Sequence, residues 1–125
     1  MSTIPGFMRG CCDRATDRAD PWIERYIFPN SMLPSAAQIT AASEGLFVHE
    51  DWHNFGADYD RTLQAWRANL EGAWPQLPAR YDERFRRMWA YYLHASMAAF
   101  RSRHAQLWQV VLSRDGVPGG YAAPR

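Results

Sequence analysis

Apolar positions recur at helical spacing in two long stretches of this chain. The first carries Tyr59, Leu63, Trp66, Leu70 and Trp74; the second carries Phe85, Met88, Trp89, Tyr92, Ser96, Ala99 and Phe100 along one side. That period predicts two long helices. One runs from Ala57 to Trp74, with Asp58 as a favourable first-turn anion and Pro75 and Pro78 to end it. The other starts near Tyr81, headed by Asp82 and Glu83. Its opposite side, with Tyr91, Ala95 and Ala98, is also mostly apolar, so it is expected to be buried all round or to touch something greasy. Shorter apolar runs predict strands: Leu46 to about His53 after Gly45, and Gln106 to Ser113, where Leu107-Trp108 and Val110-Val111-Leu112 read as buried. Ser35 is a good N-cap for a short helix through Ser43. Before it, Trp22-Ile23 and Tyr26-Ile27-Phe28 are expected to form an extended segment, followed by a turn-rich loop at Pro29-Asn30 and Leu33-Pro34.

Three regions follow: an irregular segment over 1–19, an α/β stretch over 20–114, and a flexible tail over 115–125 with Gly116, Pro118, Gly119 and Gly120. Two or three strands separated by helices leave sheet edges unpaired. The order of elements is that of the second half of a larger α/β sheet.

Composition narrows the chemistry. The 125 residues suit one domain or part of one, and an apolar fraction of 47% makes the chain globular. A net charge of +1 speaks against a general polyanion binder, so no nucleic-acid partner is expected. Every basic residue is Arg, which excludes lysine Schiff-base and P-loop lysine chemistry. Cys11 and Cys12 are adjacent and would close a disulfide only with strain, which fits a reduced, cytoplasmic setting. The longest apolar stretch without Arg, Asp or Glu, Met88 to Phe100, falls short of the roughly 20 residues that a spanning helix needs.

One motif invites a metal. His49-Glu50-Asp51-Trp52-His53 has the letters of a zinc-hydrolase signature, which works only on a helix, where the two histidines share a face and the glutamate polarises a bound water. The run instead reads as strand, with His49, Asp51 and His53 on one face and Glu50 on the other. Tyr59 stands where the extended form of the signature places a third histidine. No metal is expected.

Four blocks carry a resemblance. Asp20 to Ser35 resembles the Y-I-F-P-x-x-x-L-P-S segment of the cyclopropane fatty acid synthases, which are S-adenosylmethionine-dependent methyltransferases. Glu50 to Trp66 looks like their strand-to-helix segment ending Y-x-x-T-L-x-A-W. Phe85 to Leu93 and Leu107 to Val111 continue in register. The resemblance implies the carboxy-terminal part of a doubly wound, Rossmann-like sheet, with the two long helices inserted between its last two strands. It also implies transfer of a methylene carbon from S-adenosylmethionine to the cis double bond of a phospholipid acyl chain. A bound bicarbonate would take up the final proton, held in part by Tyr59. Tyr26, Phe28, Met88, Trp89 and Tyr92 are the candidate acyl-chain contacts. Arg80, Arg84, Arg86 and Arg87, with Arg101 and Arg103 at the far end of the same helix, could meet headgroups, although a solvated face is the ordinary role for such charges.

Departures from the family pattern are equally specific. No G-x-G cluster follows a strand, so the cofactor loop is missing. The family's remaining bicarbonate ligands, a cysteine, a glutamate and a histidine, belong upstream of Asp20, in blocks that Met1 to Asp13 does not match. Ser31-Met32 and Ser96 replace positions where the family often has glycine and cysteine. The expectation is a carboxy-terminal portion, truncated near residue 15, peripheral to the inner face of the membrane and unable to bind S-adenosylmethionine alone. It would pair with a separate cofactor-binding chain or with a second copy. The alternatives are a non-catalytic lipid-binding or partner-pairing α/β module and, behind it, the zinc hydrolase.

Overall fold

A computed structural model describes residues 6–11 and 20–124, with side chains from Asp20 onward. Its elements are β1 (Gly6–Cys11), α1 (Pro21–Tyr26), α2 (Ala36–Ser43), β2 (Val48–Asn54), α3 (Gly56–Ala73), α4 (Glu83–Arg101) and β3 (Ala105–Ser113), with a single 3-10 turn at Trp74–Gln76. They fall into two units, one holding residues up to Phe55 together with Gln106–Arg125, the other holding Gly56–Ala105.

In the first unit, β3 lies between β1 and β2. The last strand in sequence is thus the central one, and Leu107, Trp108, Val110 and Val111 are all buried. Burial of successive residues means that both faces of β3 are covered. β2 pairs antiparallel with β3, from Val48 opposite Ser113 to Asn54 opposite Trp108. On one face Trp108 and Val110 pack against Ile39 of α2, with Trp52 and Leu112 at the margin.

Local chemistry explains α1 and α2. The Asp20 carboxylate accepts from the Trp22 and Ile23 amides at 2.9 and 3.3 Å, and Pro21 occupies the first helical position. An acidic cap followed by proline is a helix start. The extended segment expected there is therefore a short helix, because the cap outweighs the strand-like look of Trp22-Ile23. In α2, Ser35 and Gln38 form a capping box, the Ser35 hydroxyl accepting from the Gln38 amide while the Gln38 side chain accepts from the Ser35 amide. Gly45, at φ +70°, turns the chain out of the helix.

β1 is the second correction. Gly6 and Gly10 hide it in the sequence, since glycine weakens a strand signal, and pairing along β3 supplies what propensity lacks. Cys12 and the rest of the 1–19 segment lie outside the described residues.

The second unit is a helical hairpin. Leu63 of α3 is fully enclosed, and Tyr92, Leu93, Met97 and Phe100 of α4 are buried. The Asp82 carboxylate caps α4 by accepting from the Phe85 amide at 2.8 Å. Burial all round does not hold for α4: Tyr91 is 60% exposed, and Arg84, Arg87, Ala95 and Ala98 also face solvent. The small residues that made that side look apolar are simply surface alanines. No helix among the described residues is long and apolar enough to cross a membrane.

Candidate functional site

The histidine motif lies on β2, and a bulge reorders it. His49 is opposite Leu112 and Asp51 opposite Val111, leaving Glu50 as the extra residue. Two residues against one shifts the alternation by one position. His49 therefore shares a face with Trp52, not with Asp51 and His53 as strict alternation required. Its ring stacks on Trp52 at 6.2 Å, while His53 meets Phe55 edge-on. The His49 Nε2 lies 2.6 Å from the Ser43 hydroxyl, which is also within reach of the Ile39 carbonyl at 2.8 Å and the Thr40 carbonyl at 3.1 Å. The Glu50 carboxylate accepts from the Ser113 hydroxyl and from the Val117 amide at 2.8 Å, tying the segment after β3 to β2. Among the described residues no group of three or more His, Cys, Asp or Glu side chains is placed to hold a metal.

Tyr59 sits in the first turn of α3, half-buried, with Phe100 edge-on at 5.0 Å and Trp66 edge-on at 5.8 Å. Beside it, the Asp60 carboxylate accepts from Arg101 through both oxygens at 3.0–3.2 Å and from Gln64 at 3.0 Å. The Asp60 side chain is 15% exposed. This fork fastens the start of α3 to the end of α4 next to the Tyr59–Phe100 contact. Arg101, a candidate headgroup contact in the sequence, is used here internally. The four-residue spacing of Asp60 and Gln64 was the only trace of this arrangement.

The hairpin also encloses an open apolar cleft of about 310 Å³. Trp66 and Leu70 of α3 form one wall, and Leu77 lies at the turn. Tyr81, Phe85, Trp89 and Leu93, four residues apart, form the other wall. Its volume is at the lower end of small-molecule sites. Of the candidate acyl contacts, only Trp89 lines it. Tyr92 is 4% exposed and meets Trp89 edge-on at 5.4 Å, and Met88 is half-buried outside the lining. Tyr26 and Phe28 belong to the other unit, where they are 40% and 45% exposed. Sequence reasoning missed most of the lining, although the run 81, 85, 89, 93 was there to be read as an i, i+4 stripe.

The arginines of this region differ in their partners. Arg86 reaches Glu71 at 2.5 Å, approaches Glu83 at 3.7 Å and covers the Trp74 ring at 5.4 Å. The Arg86 hydrogen bond holds the Glu71 carboxyl below the usual carboxylate range. Arg80 stacks over the Tyr81 ring at 4.9 Å and donates to its hydroxyl at 3.3 Å. Arg84, Arg87 and Arg103 are exposed.

Antiparallel closing strands, with a helical hairpin between them in chain order, are the carboxy-terminal part of a Rossmann-like methyltransferase sheet. The crystal structure of mycolic acid cyclopropane synthase CmaA1 complexed with SAH and CTAB matches 88% of this chain and 43% of its own, at a TM-score of 0.72 and 20% identity. The chain belongs to the mycolic acid cyclopropane synthetase family, whose model matches residues 7–110. It is 58% identical over 106 residues to the cyclopropane-fatty-acyl-phospholipid synthase of Escherichia coli K12, covering 85% of this chain and 28% of that protein. A Citrobacter freundii protein of the same name is 57% identical over 84 residues, 67% of this chain and 93% of that one. The tuberculostearic acid methyltransferase UfaA1 of Mycobacterium tuberculosis is 37% identical over 108 residues, covering 83% and 25%. The chain thus spans little more than a quarter of the length of its Escherichia coli relative.

Among the described residues no glycine cluster follows a strand, the arrangement that holds S-adenosylmethionine in Rossmann-like methyltransferases. A cofactor loop of this class needs clustered glycines between a strand and a helix, so that backbone N–H groups reach the ligand. At the junction of β2 and α3 only Gly56 stands, buried and with no second glycine beside it. The glycines with positive φ, Gly45, Gly116, Gly119 and Gly120, lie at other turns.

Proposed function

We propose that this chain forms the acyl-chain side of a cyclopropane-fatty-acyl-phospholipid synthase, an enzyme transferring a methylene carbon from S-adenosylmethionine to unsaturated acyl chains of membrane phospholipids. One observation carries this reading: a member of the family keeps, inside its helical hairpin, a cleft walled by Trp66, Leu70, Phe85 and Trp89. Such a wall binds a hydrocarbon tail and excludes water from it. Tyr59 contributes one hydroxyl toward a bicarbonate. A single hydroxyl does not hold that anion, whose oxygens need several donors, so the remaining ligands and the methyl donor come from a cofactor-binding portion outside the described residues.

Two titrations on the isolated chain test this. S-adenosylmethionine should give no saturable heat; micromolar binding would overturn the assignment of the cofactor to another portion. Vesicles of a dioleoyl phospholipid should shift the tryptophan emission to the blue, and Leu70→Glu, which charges the cleft wall, should remove most of that shift. An unchanged shift in the variant would place the lipid contact elsewhere.

A further inference from the structure

Resting on that reading of the cleft, we infer that Arg80 is a headgroup anchor: its guanidinium binds the phosphodiester of an anionic phospholipid whose acyl tail enters the cleft beside Tyr81. Tyr81 belongs to both features, since its ring lines the cleft and also carries the Arg80 guanidinium at 4.9 Å. Arg80 is exposed and takes part in no ion pair among the described residues, so its charge is not consumed internally. Arg86 offers a contrast, with two carboxylates already about it. Because the Tyr81 hydroxyl accepts from Arg80, its own proton is left to donate. Guanidinium and phenol together thus present several donors to one anion. A phosphodiester suits them: it stays ionised through the neutral range and takes hydrogen bonds on two oxygens, the pairing for which a guanidinium fork is shaped. Stacking on Tyr81 limits the freedom that Arg80 would lose on binding.

The experiment compares three oleoyl amphiphiles below their micelle concentrations, titrated calorimetrically into the full chain. They are lysophosphatidylglycerol, monooleoylglycerol with no anionic group, and oleate. Lysophosphatidylglycerol should bind about ten-fold more tightly than monooleoylglycerol, in line with the strength of a charge-assisted hydrogen bond. Arg80→Gln should erase that difference while leaving monooleoylglycerol binding and the melting temperature unchanged. Arg84→Gln, a solvent-facing charge in the first turn of α4, should leave it intact. Equal binding of the phosphate and neutral lipids, or an Arg80→Gln variant that keeps the preference, overturns the anchor but not the acyl cleft. Tighter binding of oleate than of lysophosphatidylglycerol overturns the phosphodiester assignment. Failure of all three to bind overturns the cleft reading and the anchor with it.

Discussion

Trp108 and Trp66 each meet another aromatic ring edge-on, yet Trp108 is 5% exposed and Trp66 46%. The first belongs to the sheet unit and the second to the helical hairpin, and the contrast extends to their surroundings. Around the sheet, polar groups are spent on structure: Ser35 caps α2, His49 pairs with Ser43, and Glu50 holds Ser113 and Val117. In the hairpin, a row of aromatic and leucine side chains lines an open cleft instead of closing on itself. Leaving that much apolar surface accessible forgoes stability, at about 25 cal/mol for each Å² left in water. Exposed apolar side chains are not confined to the hairpin, since Phe28, Leu46 and Val48 of the sheet unit are exposed as well; what the hairpin adds is a continuous row along one cleft, which the proposed function assigns to an acyl chain.

Truncations should expose that difference most strongly. Trp108→Ala in the sheet core should cost about 3–5 kcal/mol, and Leu63→Ala in the hairpin about 2–5 kcal/mol, both read from urea unfolding. Trp66→Ala, although it removes an equally large ring, should cost well under half as much as Trp108→Ala. An equal loss would show that the cleft wall is ordinary core and end the comparison. Next come the caps. Ser35→Ala and Asp82→Ala should each lower stability by about 1 kcal/mol, since each leaves a first-turn amide without its side-chain acceptor. Asp60→Asn should have a similar effect, and Arg101→Lys should recover part of what Arg101→Met loses, because the Asp60 side chain is mostly enclosed while Arg101 is largely in water.

Helices α2, α3 and α4, the two longer strands and the Ser35 cap were legible because each is written locally, in apolar spacing or in a residue three positions ahead of its partner, whereas α1 was read as extended because its Asp20 cap went unweighed. β1 was not legible either, since its strand character comes from lying alongside β3 and not from Gly6 or Gly10. Alternation along His49 to His53 failed for a related reason. The bulge at Glu50 answers to Ser113 and Val117, more than sixty residues away in sequence, and no feature of the five letters announces it. The cleft was half legible: the stripe Tyr81, Phe85, Trp89 and Leu93 is plain, but spacing does not distinguish a lining from a core. For Tyr59 spacing favours an ordinary core ring, and its contacts with Trp66 and Phe100 are compatible with that role. Its assignment to an anion rests on the family resemblance.

The smallest effect belongs to the ion pair between Arg86 and Glu71 in the hairpin. The Arg86 hydrogen bond depresses the Glu71 pKa, so the unfolded chain binds that proton more readily than the folded one. Stability from the pair is therefore fully present above the carboxylate's unfolded value and lost as pH falls through the lowered folded value. Unfolding followed from pH 7 to pH 3 should show this loss in the native chain and a shallower slope in Glu71→Gln. Added salt should flatten the native profile as well, because both side chains are more than a third exposed and screening reaches them. If the slope survives Glu71→Gln unchanged, the acid sensitivity resides elsewhere.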